Sequence, residues 1–247
     1  MIGCMGEKGR TIGVSFIFSI FLMLAVLSPI CQSANEGEKI TGTPAGWSDD
    51  INLSNNQPMQ DAHCEMAVDG NEVHVVWENR WDTNRNIAYS KSSDGGRTWS
   101  PVVSLYHTAI YGDTPRIAVS GNNVHVVWKD WNISEGIFYR NSTDGGDTWN
   151  DIKRITPIGV DASNPHVFVN NSNVHIIWHD YRVGMNGQIF YRRSLDGGIT
   201  FDNGQGVDED RQITFSPSTI GAVNIAGNGS NLSVIWYDER SGGFQFY

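Results

Sequence analysis

A short pattern of apolar and polar positions recurs along this chain about every 50 residues. Each copy is a run rich in Val, Ile or Leu, with a polar residue at its second position and a tryptophan at its end. The four copies span residues 73–77, 124–128, 174–178 and 232–236. Runs of this length and composition predict β-strands, and their repetition predicts a fold built from equivalent units.

One strand is predicted before each tryptophan-ending run, and another after it. Short turns such as 69–71 separate the first two strands, because Gly and Asn tolerate the positive φ of a hairpin turn. The strands before the runs span 65–68, 116–119, 166–169 and 222–226, and those after them span 87–90, 137–140, 189–192 and 244–247. Fourth strands are predicted at 101–105, 151–155 and 211–214. A four-stranded antiparallel sheet of this kind must pack against its neighbours to be stable.

In the first three units, the third strand runs into the motif S-x-D-G-G-x-T followed by Trp or Phe. An Asp in such a turn accepts hydrogen bonds from the turn's own N–H and hydroxyl groups, and the glycines supply positive φ. The aromatic residue then folds back as a hydrophobic plug. We call these segments the D-G-G turns; their residues are Ser92, Asp94, Gly96, Thr98 and Trp99, then Ser142, Asp144, Gly146, Thr148 and Trp149, then Ser194, Asp196, Gly198, Thr200 and Phe201.

The pattern predicts an all-β fold, because no segment after the first 34 residues has a helical period. Repeats of four short strands are typical of the blades of a β-propeller. About four blades are present, which fits either a four-bladed ring or part of a larger ring. Residues 46–53 carry a tryptophan plug and a strand pattern without three preceding strands, and we expect this strand to complete the last blade.

Composition and charge narrow the class of protein and the kind of partner. The chain has 247 residues, of which 18% are charged, so it can bury a sizeable core. A net charge of -10 argues against a nucleic acid or an anionic membrane surface as the main partner. A solvated acidic surface explains the same charge more simply.

The first 34 residues have the features of a secretory signal peptide. Lys8 and Arg10 precede an apolar run over 12–30, and small or polar residues follow. Cleavage would leave residues 35–247 as a secreted or cell-surface domain, whereas an uncleaved segment would anchor the chain in a membrane. Cys64 would then be the one cysteine of the mature chain, and we expect it to fill an apolar site on a strand.

The S-x-D-G-G-x-T-W motif resembles the Asp box, the repeat of bacterial neuraminidases and related sialidase-like propellers. The resemblance covers residues 47–247. It implies a six-bladed ring in which the D-G-G turns lie on the face away from the substrate. It also implies a secreted glycoside hydrolase of the exo-α-sialidase type that acts on extracellular glycans. Because the same box occurs in non-enzymatic propellers, a cell-surface propeller that binds glycans or proteins without catalysis is the alternative.

Departures from the repeat mark the candidate binding positions, because a single site must be built from residues that differ between blades. Glu65, Arg116 and His166 begin equivalent strands and carry three different chemistries. They are predicted to face one axial region, opposite the D-G-G turns. The repeated histidines of the tryptophan-ending runs are instead expected to pack or form hydrogen bonds on the strands.

Charged residues in the loop after each tryptophan are further candidates. They are Asp130, Asp180, Arg182, Asp238 and Arg240. Their near repetition also fits a salt bridge that stabilises each turn. No group of His, Cys and Asp residues has the spacing of a metal site, so neither a metal nor another cofactor is expected.

The resemblance implies a set of catalytic residues of which this chain supplies one partial match. Sialidases bind the substrate carboxylate with three arginines and use a tyrosine nucleophile, a nearby glutamate and an aspartate acid/base. The family's F-R-I-P signature is half present as P-R-I-A at 115–118, which assigns an arginine role to Arg116. The segment lies in the second repeat, whereas the family places it near the first. The other catalytic residues stay unassigned.

Overall fold

The computed structural model describes residues 48–54, 60–81, 84–106, 112–131, 135–201, 210–228 and 231–247. The chain divides into a unit Met1–Asp50 and a unit Ile51–Tyr247, and every described strand lies in the second unit. The predicted signal segment, residues 1–34, lies outside the described residues. Among the described residues, no helix is long and apolar enough to cross a membrane.

Fifteen strands form four antiparallel sheets in the described part of the chain, one for each predicted unit. Blade 1 contains β1 (Gln60–Asp69), β2 (Glu72–Trp81), β3 (Asn84–Ser92) and β4 (Val103–Tyr106). Blade 2 contains β5 (Gly112–Ser120), β6 (Asn123–Asp130), β7 (Gly136–Ser142) and β8 (Lys153–Arg154). Blade 3 contains β9 (Ala162–Asn170), β10 (Asn173–Asp180), β11 (Gln188–Ser194) and β12 (Arg211–Gln212), and blade 4 contains β13 (Ile220–Asn228), β14 (Asn231–Asp238) and β15 (Gln245–Phe246). Each sheet pairs strands in chain order, which confirms the predicted propeller of antiparallel blades.

The first strand of each blade is the innermost strand. β1, β5 and β9 each lie against the first strand of the next blade. By contrast, the main contacts of β4, β8 and β12 are with the third strand of their own blade. The first strands therefore line the axis of the propeller, and the fourth strands lie toward its rim.

A β-bulge interrupts each first strand and explains why these strands begin earlier than predicted. In blade 1 the register shifts between Ala62 and Glu65, and the other three blades shift at the equivalent place. In the first three blades the bulge contains a residue at positive φ: His63 (46°), Thr114 (47°) and Asn164 (49°). A bulge leaves one residue unpaired and changes the direction of the side chains that follow.

The hydrophobic core lies between successive blades. Trp128 and Trp178 have no exposed surface, and burial of a large apolar side chain contributes about 1.5–3 kcal/mol. The cluster between blades 1 and 2 contains Val76, Ile87, Tyr89, Leu105, Tyr106, Ile117, Val124, Val126 and Trp128. Two further clusters join blade 2 to blade 3 and blade 3 to blade 4. Each blade is therefore stabilised by the next one, as the sequence predicts.

The D-G-G turns form the hydrogen bonds predicted for them. In the first turn, Asp94 accepts hydrogen bonds from the Thr98 hydroxyl at 2.6 Å, the Thr98 N–H at 2.9 Å and the Ser92 hydroxyl at 2.7 Å. The Trp99 indole donates to the Gly96 carbonyl at 3.0 Å, which holds the aromatic plug over the turn. The bonds from Thr98 and Ser92 hold the pKa of Asp94 well below its usual range.

The second and third D-G-G turns also contact the preceding blade. Gly146 lies against Tyr89, so a Cβ at Gly146 would be 2.0 Å from the Tyr89 hydroxyl oxygen. Trp149 packs edge-on against the same ring, with centroids 4.9 Å apart. The Tyr89 hydroxyl is hydrogen-bonded to His74 Nδ1 at 2.7 Å, and blade 2 repeats this arrangement toward the third turn. The repeated histidines and tyrosines therefore join neighbouring blades.

The strand predicted at residues 46–53 does not form over 48–53, the part of it that lies among the described residues. Residues 48–54 contain no strand, and blade 4 has three strands in the described part of the chain. A strand needs a partner edge, and β15 is only two residues long. The local pattern of alternation was therefore insufficient to predict this element.

Candidate functional site

Four polar side chains occupy one equivalent position on the four inner strands. Glu65 pairs with Val76, Arg116 with Val127, His166 with Ile177, and Asn224 with Ile235. Each partner immediately precedes the tryptophan of its blade. The predicted candidates therefore lie at the same height on neighbouring strands, and Asn224 extends the set into blade 4. We call Glu65, Arg116, His166 and Asn224 the axial row.

Members of the axial row interact across the boundaries between blades. Arg116 Nε lies 3.3 Å from Glu65 Oε2. Burial lowers the pKa of His166, Arg116 adds to this shift, and the Asn224 side chain opposes it, so both neighbours act on the imidazole. In the Arg116 side chain 26% of the surface is exposed, and in Glu65 35%. The row therefore consists of a carboxyl group, a guanidinium, an imidazole and an amide, and its first two members are partly exposed.

Burial changes the ionisation of two members of this row. Burial raises the pKa of Glu65 to about 7, although Arg116 and a backbone hydrogen bond from Ile117 act in the opposite direction. Its Oε2 atom is inaccessible to solvent even though part of the side chain is exposed. Burial also lowers the pKa of His166 to about 3, with Arg116 adding to the effect and Asn224 opposing it. At neutral pH the imidazole is therefore uncharged.

The charged candidates in the loops after the second strands form internal pairs. The Arg182 guanidinium donates to Asp180 at 2.9 Å, and Asp180 is fully buried. Asp180 also accepts hydrogen bonds from the Arg182 N–H and the Trp178 indole. Asp238 and Arg240 repeat the arrangement in blade 4. These contacts are those of a turn-stabilising salt bridge, one of the two roles that the sequence allowed.

Asp130 occupies the corresponding place in blade 2 and links two blades. Its side chain is hydrogen-bonded to the hydroxyl of Tyr106, which lies on the outer strand of blade 1. Only 2% of Asp130 is exposed. This buried contact joins blade 2 to blade 1, which is a structural role for Asp130.

A second polar cluster was not predicted from sequence spacing. His63 Nδ1 lies 2.8 Å from Glu78 Oε2 and 3.1 Å from Asp113 Oδ1, and the three atoms lie within 4.8 Å of one another. These residues come from β1, β2 and β5, so no local motif marks them. Glu78 departs from the repeat, because the equivalent positions in blades 2 and 3 hold Lys129 and His179. This departure was the signal in the sequence that could have identified the cluster.

Cys64 lies in the bulge of β1 and is exposed. The expectation that its thiol fills an apolar site was wrong. That expectation assumed regular alternation along the strand, and a bulge shifts the alternation by one residue.

The fold and the axial row define this chain as a β-propeller with polar side chains along its inner strands. No family model matches the chain, and no curated protein matches it. Among solved structures, a Trypanosoma rangeli sialidase in complex with 2,3-difluorosialic acid has 12% identity and a TM-score of 0.48. That match covers 76% of this chain and 37% of the sialidase.

Two other solved structures resemble the chain at similarly low identity. Penicillium chrysogenum α-L-arabinanase complexed with arabinobiose has 13% identity and a TM-score of 0.48, over 71% of this chain and 63% of the arabinanase. A Dyadobacter fermentans protein of unknown function has 14% identity and a TM-score of 0.37, over 74% of this chain and 76% of that protein. The chain spans less than two thirds of the sialidase and of the arabinanase. Its assignment as a propeller rests on its own sheets.

Proposed function

We propose that this chain is a secreted propeller that binds extracellular glycans at the axial row and acts on them as a sialidase-like glycoside hydrolase. The observation that carries the proposal is the row itself. Equivalent positions on the inner strands hold unlike polar side chains, and those side chains interact across blades. A purely structural residue would repeat from blade to blade, as the buried tryptophans do. The resemblance of the D-G-G turns to the Asp box supports the glycosidase class.

Each member of the axial row offers a contact that a sugar can use. The Arg116 guanidinium presents a fork of N–H donors that fits a carboxylate or a pair of hydroxyl groups. Glu65 can accept hydrogen bonds from hydroxyl groups, and Asn224 can both donate and accept. Because Arg116 already lies against Glu65, its guanidinium is oriented before a ligand arrives, which lowers the entropic cost of binding.

Hydrolysis of a fluorogenic sialoside by the purified chain tests this proposal. We expect turnover by the unmodified chain and at least about a tenfold loss of kcat/KM in Arg116→Ala, because a hydrogen bond to a charged group contributes about 1.5–3 kcal/mol. Arg97→Ala is the matched control, since Arg97 is an exposed arginine of the first D-G-G turn. The control should keep the kcat/KM of the unmodified chain. Equal losses in the two variants would exclude the axial row as the substrate site.

Binding without catalysis is the second candidate function. Sialidase chemistry requires three arginines, and among the described residues Arg116 is the one arginine of the axial row. A non-catalytic propeller would bind a sialoside or another glycan, lose that binding in Arg116→Ala, and release no product. Binding and turnover measured on the same preparation therefore distinguish the two functions.

A further inference from the structure

His63, Glu78 and Asp113 bring one imidazole nitrogen and two carboxylates together between blades 1 and 2. His63 Nδ1 lies 2.8 Å from Glu78 Oε2 and 3.1 Å from Asp113 Oδ1. Ligand atoms around a tetrahedral ion, each about 2.1 Å from it, stand roughly 3.4 Å apart. Small outward movements of the side chains would therefore convert this cluster into a coordination shell.

The inner strands share a common backbone at this place but carry different side chains. The bulges of the first three blades hold His63, Thr114 and Asn164 at nearly the same positive φ. Of these three residues, His63 alone carries an imidazole. In blade 2 the position equivalent to Glu78 is occupied by Lys129. The Lys129 ammonium forms a salt bridge with Asp161, which precedes the first strand of blade 3. The described blades therefore repeat the bulge but not the three side chains His63, Glu78 and Asp113. This difference argues that the three side chains do not simply stabilise a junction that all blades share.

Neighbouring groups hold the Asp113 side chain in place. Asp113 Oδ1 accepts a hydrogen bond from the Thr114 N–H at 2.6 Å, and Oδ2 accepts one from the Trp131 indole at 3.2 Å. Hydrogen bonds of this kind orient metal-binding carboxylates. The Glu78 side chain is fully buried, whereas 46% of the His63 side chain is exposed. The cluster is thus anchored on one side and open to solvent on the other.

We propose that His63, Glu78 and Asp113 bind a divalent transition-metal ion of the Zn²⁺ or Mn²⁺ type. One imidazole and two carboxylates suit these ions. Ca²⁺ is disfavoured because it prefers about six to eight oxygen ligands. Water or a ligand atom completes the coordination on the exposed side of His63. This site is separate from the glycan-binding role of the axial row and does not depend on it.

Metal binding is measured on the full chain after treatment with EDTA and removal of the chelator. Calorimetric titration should show one Zn²⁺ or Mn²⁺ ion per chain, bound more tightly than Ca²⁺. Co²⁺ should give a visible d–d absorption that Zn²⁺ abolishes by displacement. His63→Ala should weaken Zn²⁺ binding by at least about 100-fold because a ligand is lost, and Trp131→Phe by roughly 10-fold because an outer hydrogen bond is lost.

Asp147→Asn provides the matched control for these variants. Asp147 lies in the second D-G-G turn and pairs with Lys91 at 2.7 Å, away from the cluster, so its replacement should leave metal affinity unchanged. Circular dichroism checks that His63→Ala is folded, and Asp113→Asn replaces it if it is not. The Co²⁺ spectrum of the unmodified chain tests the site without any substitution. Absence of stoichiometric binding, tighter binding of Ca²⁺, or unchanged affinity in the folded ligand variants would overturn the proposal and leave His63 as a hydrogen-bond partner of Glu78.

Discussion

Gly198, in the third D-G-G turn, lies directly against Tyr139 of the preceding blade, and replacing it with alanine tests how the blades are joined. A Cβ at Gly198 would lie 1.8 Å from the Tyr139 hydroxyl oxygen, so the tyrosine would have to move. Tyr139 is fully buried, hydrogen-bonded to His125 at 2.7 Å, and packed against Phe201 with ring centroids 4.8 Å apart. Gly197 is the matched control, because a Cβ there meets no atom of the described chain within 4 Å.

Both alanine variants lose stability through backbone strain, and one of them also loses stability through a steric clash. Both glycines have positive φ, 74° at Gly197 and 88° at Gly198. Each alanine therefore costs about 1–2 kcal/mol in backbone strain. Gly198→Ala also displaces Tyr139, which adds about 1–3 kcal/mol for overpacking and about 1 kcal/mol for a weakened hydrogen bond. We therefore expect Gly198→Ala to be less stable than Gly197→Ala by roughly 2–4 kcal/mol.

Thermal unfolding measures this difference. For a domain of this size, 1 kcal/mol corresponds to about 2–4 °C, so the Tm of Gly198→Ala should lie about 4–16 °C below that of Gly197→Ala. The second turn offers an independent pair. A Cβ at Gly146 would lie 2.0 Å from the Tyr89 hydroxyl oxygen, whereas one at Gly145 would meet only Lys91 Nζ, at 3.9 Å. Equal losses of Tm within each pair would refute blade-to-blade packing as the role of the second glycine.

A buried histidine, a buried ion pair and a turn carboxylate allow three further tests. Because burial lowers the pKa of His125 from 6.5 to about 4, the unfolded chain binds more protons between these pH values, and stability should fall by up to about 3 kcal/mol on acidification. The Tm of His125→Phe should fall less than that of the unmodified chain over the same range. Asp180→Asn should cost up to about 3 kcal/mol in urea unfolding, because it breaks a buried pair with Arg182, and should leave glycan binding unchanged. Asp196→Ala should lower the unfolding free energy by about 1–2 kcal/mol, because Asp196 accepts hydrogen bonds from two hydroxyls of its own turn; an unchanged urea midpoint would contradict this.

The sequence was sufficient where the relevant contacts are local or repeated. The side-chain bonds of Asp94 join residues at most four positions away, so the turn could be predicted from its own motif. Strand composition and a regular period were enough to predict the blades, because every blade buries the same face against its neighbour. Alignment of the repeats also predicted that Glu65, Arg116 and His166 lie at the same level along the inner strands. The prediction was possible because all blades share one strand register.

Only the tertiary structure decided which side chains meet across the blades. The approach of His63 to Glu78 and Asp113 depends on a bulge and on the packing of blade 1 against blade 2. The exposure of Cys64 depends on the same bulge. The absence of a strand at residues 48–54 depends on which edges are available for pairing. The hydrophobic period and the turn motifs depend on residues that are close together in the sequence. The side-chain cluster, the exposed thiol and the missing strand depend on backbone segments that are far apart in the sequence and adjacent only after folding.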